Sequence, residues 1–224
     1  MERIASLLIS AVAVIVGIVV HESAHALAAY ALGDATARSR GRVSLNPLNH
    51  IDPFGTVLLP LLMILAGGPV FAYAKPVPVY LGNLKHPKRD EVIVALAGPV
   101  SNIALAALLA FVLGLVVPPL ARGGLSLDTA WLIINALMTA MLVNLSLAFF
   151  NLIPLPPLDG SSALVLLLRG EALQTYYRIQ QYAMPILIIV LYLLPSITGI
   201  DLIGAYFDVT VYPLWNWMLN LAVG

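Results

Sequence analysis

Five consecutive residues, His21-Glu22-Ser23-Ala24-His25, combine the residue types and the spacing of a metal site. Residues four apart lie on the same face of a helix, so the two imidazoles can bind a single metal ion. Glu22 is then close enough to that ion to activate a water molecule by taking its proton. The pattern predicts metal-assisted hydrolysis with His21 and His25 as ligands and Glu22 as the catalytic base.

The motif lies inside an apolar run, residues 4–32, that is long enough to cross a bilayer, since a spanning helix needs about 20 residues. A charge at the bilayer centre costs at least about 2.5–3.5 kcal/mol, which makes ionisable groups there functional candidates. The run also exceeds the apolar core of about 7–15 residues found in a cleavable signal peptide. We therefore predict that the metal site is built on a transmembrane helix.

Composition agrees with a membrane protein. Of 224 residues 61% are hydrophobic and 10% are charged, whereas a soluble domain carries about 25% charged residues. The net charge is zero and the basic residues form no stripe, which argues against nucleic acid as a partner. Because the chain has no cysteine, disulfides and thiolate metal sites are excluded. We expect one integral membrane domain, residues 1–224, in a lipid bilayer.

The apolar segments predict an all-α polytopic membrane protein with five or six transmembrane helices. The core would occupy residues 4–168 and the C-terminal helices residues 179–223, and a short β-element could form in the loop at residues 41–45. The last segment is rich in Tyr and Trp and could be either a span or an interfacial helix. The candidate segments are 4–32, 54–74, 91–117, 130–153, 179–194 and, more weakly, 211–223.

Segment 54–74 contains Pro60 and the sequence Gly67-Gly68-Pro69, which interrupt a helix. If it crosses the membrane, the Lys and Arg residues divide four to seven between the two sides; if it re-enters, they divide nine to two. The positive-inside rule favours the second arrangement. We therefore predict a re-entrant segment, with the loops 33–53 and 75–90 in the cytoplasm.

A catalytic zinc site normally takes three protein ligands and leaves one position for water. The remaining histidines, His50 and His86, lie in loops. Asp159 follows the segment 130–153, which in the re-entrant topology returns to the side where the first helix ends. The charge distribution and the requirement for a third ligand thus favour the same topology.

Two motifs in order resemble the paired signature of the site-2 proteases, which are intramembrane zinc metalloproteases. The H-E-x-x-H of residues 21–25 is followed by N-L-I-P-L-P-P-L-D-G at residues 151–160, and G-P-V-S-N at residues 98–102 is similar to the family's third helix. The resemblance covers about residues 4–168. It implies one zinc ion per chain, Asp159 as the third ligand and Glu22 as the catalytic acid and base, in a small form without PDZ or CBS domains.

This resemblance implies cleavage of transmembrane segments of other proteins by a multi-pass protein of the cell membrane, with its active site toward the cytoplasm. Asn102 or Asn151 could hold the oxyanion or the substrate backbone, or could instead form hydrogen bonds between helices. A metal-ion transporter that uses the H-E-x-x-H helix as a zinc site is the alternative. A transporter should carry further ligands along a path, and the sequence has no histidine-rich loop. The sequence carries no signal for the oligomeric state.

Overall fold

The computed structural model describes residues 2–52, 55, 58, 75–121, 123 and 126–224. Short helical turns occur at Thr36–Ser39, Pro47–Asn49, Leu81–Asn83, Asp159–Ala163 and Leu164–Leu167. The described residues contain no β-strand. The helices of eight or more residues are α1 Glu2–Ala31, α2 Pro87–Ala121, α3 Leu127–Asn151, α4 Gly170–Gln180, α5 Ala183–Thr198, α6 Leu202–Val209 and α7 Val211–Val223.

Helices α1, α2 and α3 are long and apolar enough to cross a membrane, with mean hydropathies of 2.6, 2.6 and 2.0. Large apolar side chains such as Leu7, Phe111 and Leu115 are exposed on them, as expected of surfaces that face lipid. Helices α4 and α5 meet at a bend of 76° and could form one further, broken span. The described residues thus contain three to four candidate spans rather than the five or six predicted, and the predicted re-entrant segment 54–74 lies outside them apart from two residues.

Helix α7 explains part of the difference in span number. It has 13 residues, or about 20 Å at 1.5 Å per residue, which is less than the roughly 30 Å of a hydrocarbon core. The predicted segment 179–194 likewise differs from the structure, because the chain bends after Gln180 and only then continues as α5. Apolar composition alone predicts neither the short length of α7 nor the bend before α5.

The chain forms two compact units. The first contains Met1–Gly17, Pro99–Asn151 and Asp201–Gly224. Asn102, fully buried, donates one hydrogen bond to the carbonyl of Gly17 at 3.0 Å and another to Oδ1 of Asn144 at 2.8 Å. In a membrane such amide bonds help to hold helices together. The core of this unit consists of Ala106, Ala110, Met141, Leu145, Val211 and Met218.

The second unit contains Ile18–Gly98 and Leu152–Ile200. In it the buried carboxylate of Asp34, just beyond α1, accepts hydrogen bonds from Thr36, from the Tyr80 N–H and from Asn83. Burial alone would raise the pKa of Asp34, but these hydrogen bonds outweigh it and lower the pKa from 3.8 to about 2. The stability that ionised Asp34 contributes is therefore present above its ordinary pKa and is lost as the pH falls through about 2. At neutral pH the carboxylate ties the chain after α1 to the turn before α2.

Arg42 makes a second buried connection in the same unit. Its guanidinium donates to the carbonyls of Asn49, Lys75 and Pro76, at 2.6 Å and 2.8 Å for the latter two. The N–H of Lys75 in turn donates to the carbonyl of His50 at 3.0 Å. The residues on either side of segment 54–74 are thus connected through Arg42 and through the backbone bond between Lys75 and His50.

The β-element predicted at residues 41–45 is wrong for this structure, in which these residues form turn and irregular backbone. The carbonyl of Ser44 accepts hydrogen bonds from the Ser23 hydroxyl at 2.5 Å and from the His50 ring at 2.7 Å. Side chains, and not a neighbouring strand, satisfy that carbonyl. The composition of the segment, Gly-Arg-Val-Ser-Leu, could not distinguish these two arrangements.

Candidate metal centre

Helix α1 places His21 and His25 one turn apart with their rings in contact. The ring centroids are 4.6 Å apart and the ring planes lie at 87° to one another. Both side chains are buried, with 7% and 8% of their surface exposed. The i, i+4 spacing therefore produces the convergence that the sequence predicts.

Asp159 reaches the two imidazoles from a distant part of the chain. Its Oδ2 lies 3.0 Å from Nε2 of His21 and 3.4 Å from Nε2 of His25. The three ligand atoms lie within 4.8 Å of one another, and no other such group of His, Asp and Glu occurs among the described residues. The structure thus brings together the three ligands predicted from the sequence and its resemblance.

The turn after α3 fixes the position of Asp159. Asp159 begins the helical turn Asp159–Ala163, and the preceding Leu158 is buried. A Cβ on Gly160 would lie 2.2 Å from the carbonyl oxygen of Leu152, so only glycine allows the chain to approach itself this closely. On the other side, the Ser161 hydroxyl is hydrogen-bonded to the Tyr176 hydroxyl at 3.1 Å. The D-G pair therefore combines the predicted ligand Asp159 with the residue that lets the turn close.

The backbone of α2 orients one of the histidine ligands. Nδ1 of His25 lies 2.7 Å from the carbonyl oxygen of Val94. Since a carbonyl only accepts hydrogen bonds, Nδ1 carries the proton, and Nε2 of a neutral ring presents its lone pair toward Asp159. Such a bond to the second ring nitrogen is the usual way of fixing a metal-binding histidine.

Gly98 leaves the space in which an ion would fit. A Cβ on Gly98 would lie 2.5 Å from Nε2 of His25 and 2.6 Å from Nε2 of His21. No side chain is compatible with both imidazoles at these distances. The G-P pair within α2 was part of the sequence resemblance, but its effect on the histidines could not be deduced from the sequence.

The three ligands fit a zinc ion. Oδ2 of Asp159 is buried and no described donor makes a hydrogen bond of good geometry with it. An imidazole lone pair and a carboxylate so close together repel one another unless a metal ion or a proton lies between them. Nitrogen and carboxylate oxygen ligands, three in number, are those of catalytic zinc sites with an open position. His21, His25 and Asp159 would therefore hold the ion.

Glu22 is half-buried and its carboxylate makes no hydrogen bond or ion pair with another described residue. It is one residue from His21 on the same helix and is not needed as a ligand. A carboxylate that is not held by a neighbouring donor can accept a proton from water. This is the environment expected of a catalytic base.

The two asparagines predicted to bind substrate have different surroundings. Both amide hydrogens of Asn102 are donated to other helices of the first unit, as described above. Asn151 is half-buried at the end of α3 and donates one hydrogen bond to the carbonyl of Leu147. Their role toward a substrate stays a prediction, and Asn151 retains an N–H for it.

A histidine placed in a loop by the sequence is in fact buried next to the motif. His50 is 1% exposed, and its Nε2 lies 3.3 Å from the hydroxyl of Ser23, the middle residue of H-E-x-x-H. Both side chains bond the Ser44 carbonyl, so the loop is held directly against the metal-binding helix. Proline and asparagine around His50 indicated a turn, and no local signal indicates its burial.

Comparison with known proteins identifies the family of the chain. The profile of peptidase family M50 matches residues 9–194. YwhC of Bacillus subtilis (strain 168), whose given name is that of a zinc metalloprotease, is 43% identical over 153 residues, which are 66% of this chain and 64% of YwhC. Rip2 of Mycobacterium tuberculosis (strain H37Rv), named in the same way, is 32% identical over 185 residues, which are 83% of this chain and 66% of Rip2.

The chain therefore spans about two thirds of the length of these relatives. Rip2 of Mycolicibacterium smegmatis is 31% identical over 190 residues, which are 84% of this chain and 68% of that protein. No solved structure matches the chain.

Proposed function

Because this chain belongs to peptidase family M50, we propose that it is an integral-membrane zinc metallopeptidase. It cleaves peptide bonds in or near the transmembrane segments of other membrane proteins. The observation that carries the proposal is the cluster of His21, His25 and Asp159 on and beside an apolar helix of 30 residues. A site built there is accessible to peptide bonds at membrane depth.

Each group of the site has a defined task in hydrolysis. Zinc held by the three ligands would polarise the scissile carbonyl and lower the pKa of water to about 7. Glu22 takes the proton from the attacking water and delivers it to the leaving amine. The Val94 carbonyl keeps the His25 ring in one tautomer and orientation throughout. Asn151 donates one N–H to the Leu147 carbonyl and is proposed to hold the substrate backbone or the oxyanion with its other amide hydrogen.

We further propose that the chain, residues 1–224, is one membrane domain in which segment 54–74 re-enters and α1, α2, α3 and the bent pair α4–α5 are the candidate crossings. Two findings support this topology. Re-entry divides the basic residues nine to two, which the positive-inside rule favours. Re-entry also lets Asp159 return to the side where α1 ends, in keeping with its 3.0 Å distance from His21. The active site is then toward the cytoplasmic side of the cell membrane.

A reconstituted assay tests the substrate class. The full chain with zinc is placed in phospholipid vesicles together with a single-pass reporter protein, and the products are analysed by mass spectrometry. We expect cuts within or next to the apolar segment of the reporter, and no cuts after a chelator has removed zinc until zinc is restored. A soluble reporter with the same flanking sequence but without the apolar segment serves as the control.

Two results would contradict the proposal. Equal cleavage of the soluble reporter would remove the membrane-segment specificity. Zinc flux across the vesicle membrane with neither reporter cleaved would favour the transporter alternative.

A further inference from the structure

A basic cleft of about 310 Å³ lies in the second unit, apart from the metal ligands. Its walls come from the loop after α1 and from the residues that follow segment 54–74. They include three cationic side chains, an amide and an exposed leucine. The residues that matter for its chemistry are Arg40, Arg42, Lys75, Asn49 and Leu48.

No acidic side chain is among the described residues that line this cleft. Arg40 and Lys75 are exposed and form no ion pair with any described residue. The residues between 59 and 74 contain no Asp or Glu in their sequence, so that stretch cannot supply a counter-charge. The Asp34 carboxylate, six residues before Arg40 in sequence, is occupied by four donors of its own. The positive charge of the cleft is therefore left for a ligand.

Arg42 holds the backbone on both sides of the cleft in place. It is only 4% exposed, and its guanidinium binds the carbonyls of Asn49, Lys75 and Pro76. These bonds fix the distance between Asn49, which precedes segment 54–74, and Lys75, which follows it. A buried cation behind the cleft also raises its positive potential, because the interaction is less screened than in water.

The position of the cleft along the chain points to a particular anion. Arg40 follows the end of the apolar helix α1 by nine residues, so it belongs to the sequence that leaves the bilayer at the headgroup level. Basic residues just beyond a transmembrane helix attract anionic lipids. Leu48, 77% exposed, adds an apolar side chain to the rim. Such a surface suits a phosphate with glycerol and acyl carbons attached.

We propose that this cleft binds the phosphate of an anionic phospholipid. Arg40 and Lys75 donate hydrogen bonds to the phosphate oxygens, and Leu48 contacts the apolar part of the lipid. The bound lipid thereby bridges the two sides of the loop that Arg42 already connects. The site is independent of peptide hydrolysis, so its test does not depend on the catalytic assignment.

Two double variants with the same change in charge test the site. Arg40→Gln with Lys75→Gln removes the two exposed cations of the cleft. Arg169→Gln with Lys85→Gln removes two cations that are also exposed and unpaired among the described residues but lie outside it. The full-length proteins are placed in nanodiscs of phosphatidylcholine with or without phosphatidylglycerol. Bound lipid is counted by native mass spectrometry and thermal unfolding is followed in parallel.

We expect the cleft variant to bind phosphatidylglycerol about tenfold or more weakly than the wild type and to lose the thermal stabilisation that this lipid gives. The outside variant should behave like the wild type. Equal losses in both double variants would overturn the proposal, since they would indicate only general attraction of charge. Saturation of the wild-type cleft by inorganic phosphate alone, with no preference for phosphatidylglycerol, would also overturn it as a lipid site.

Discussion

Replacement of Glu22 by Gln is expected to abolish peptide hydrolysis while zinc stays bound. The amide has nearly the same shape as the carboxylate but cannot take a proton from water, and general acid–base groups contribute about 10²–10⁴-fold to rates. Zinc should remain because its proposed ligands are His21, His25 and Asp159. The measurements are the rate of reporter cleavage in vesicles and the zinc content of the same sample.

Glu171→Gln is the matched control for this substitution. Glu171 is exposed in the first turn of α4 and carries the same carboxylate, so its replacement should leave both rate and zinc content unchanged. A Glu22→Gln protein that cleaves at the wild-type rate would remove the catalytic role of Glu22. Loss of zinc from it would instead make Glu22 part of the metal site.

Replacement of Gly98 by Ala is expected to empty the metal site without touching a ligand. The new Cβ would lie 2.5 Å and 2.6 Å from the Nε2 atoms of His25 and His21, closer than real Cβ atoms approach other atoms. Because the His25 ring is held at its other nitrogen by Val94, it cannot turn aside without losing that bond. We expect zinc affinity to fall by at least about 10–100-fold, as for other changes beside metal ligands, and cleavage to fall with it.

Gly114→Ala is the control for this prediction, since it makes the same change further along α2. Its Cβ would approach the backbone of Ala222, with the carbonyl oxygen nearest at 3.0 Å, and no metal ligand. A general effect of alanine on the helix would therefore appear in both variants. Zinc affinity is measured by competition with a chromogenic chelator. Unchanged affinity in Gly98→Ala would show that the site is roomier than the structure indicates.

The sequence predicts the parts of the site that depend on regular geometry. The i, i+4 histidines lie on one face of α1 because a helix repeats every 3.6 residues, and three of the apolar runs form long helices because their length and composition leave few alternatives. The approach of Asp159 to the two histidines does not follow from regular helix geometry. It lies 134 residues after His25, and only the topology and the family resemblance connected the two.

Other features depend on packing that no local pattern encodes. His50 is buried because Ser44 and Ser23 lie beside it, and Asp34 is buried because Tyr80 and Asn83 reach it from a later part of the chain. The absent strand at residues 41–45 has the same origin, since side-chain donors replaced the expected strand partner. Interactions between residues far apart in sequence decided each of these outcomes.

The most direct test of the account is zinc-edge X-ray absorption on the purified chain and its Asp159→Asn variant. The account predicts one zinc ion per wild-type chain, with two imidazole nitrogens at about 2.0–2.1 Å and carboxylate oxygen at about 2.0–2.2 Å. The variant should lose the carboxylate and bind zinc more weakly. A wild-type protein that takes up no zinc, or a spectrum that Asp159→Asn leaves unchanged, would contradict it.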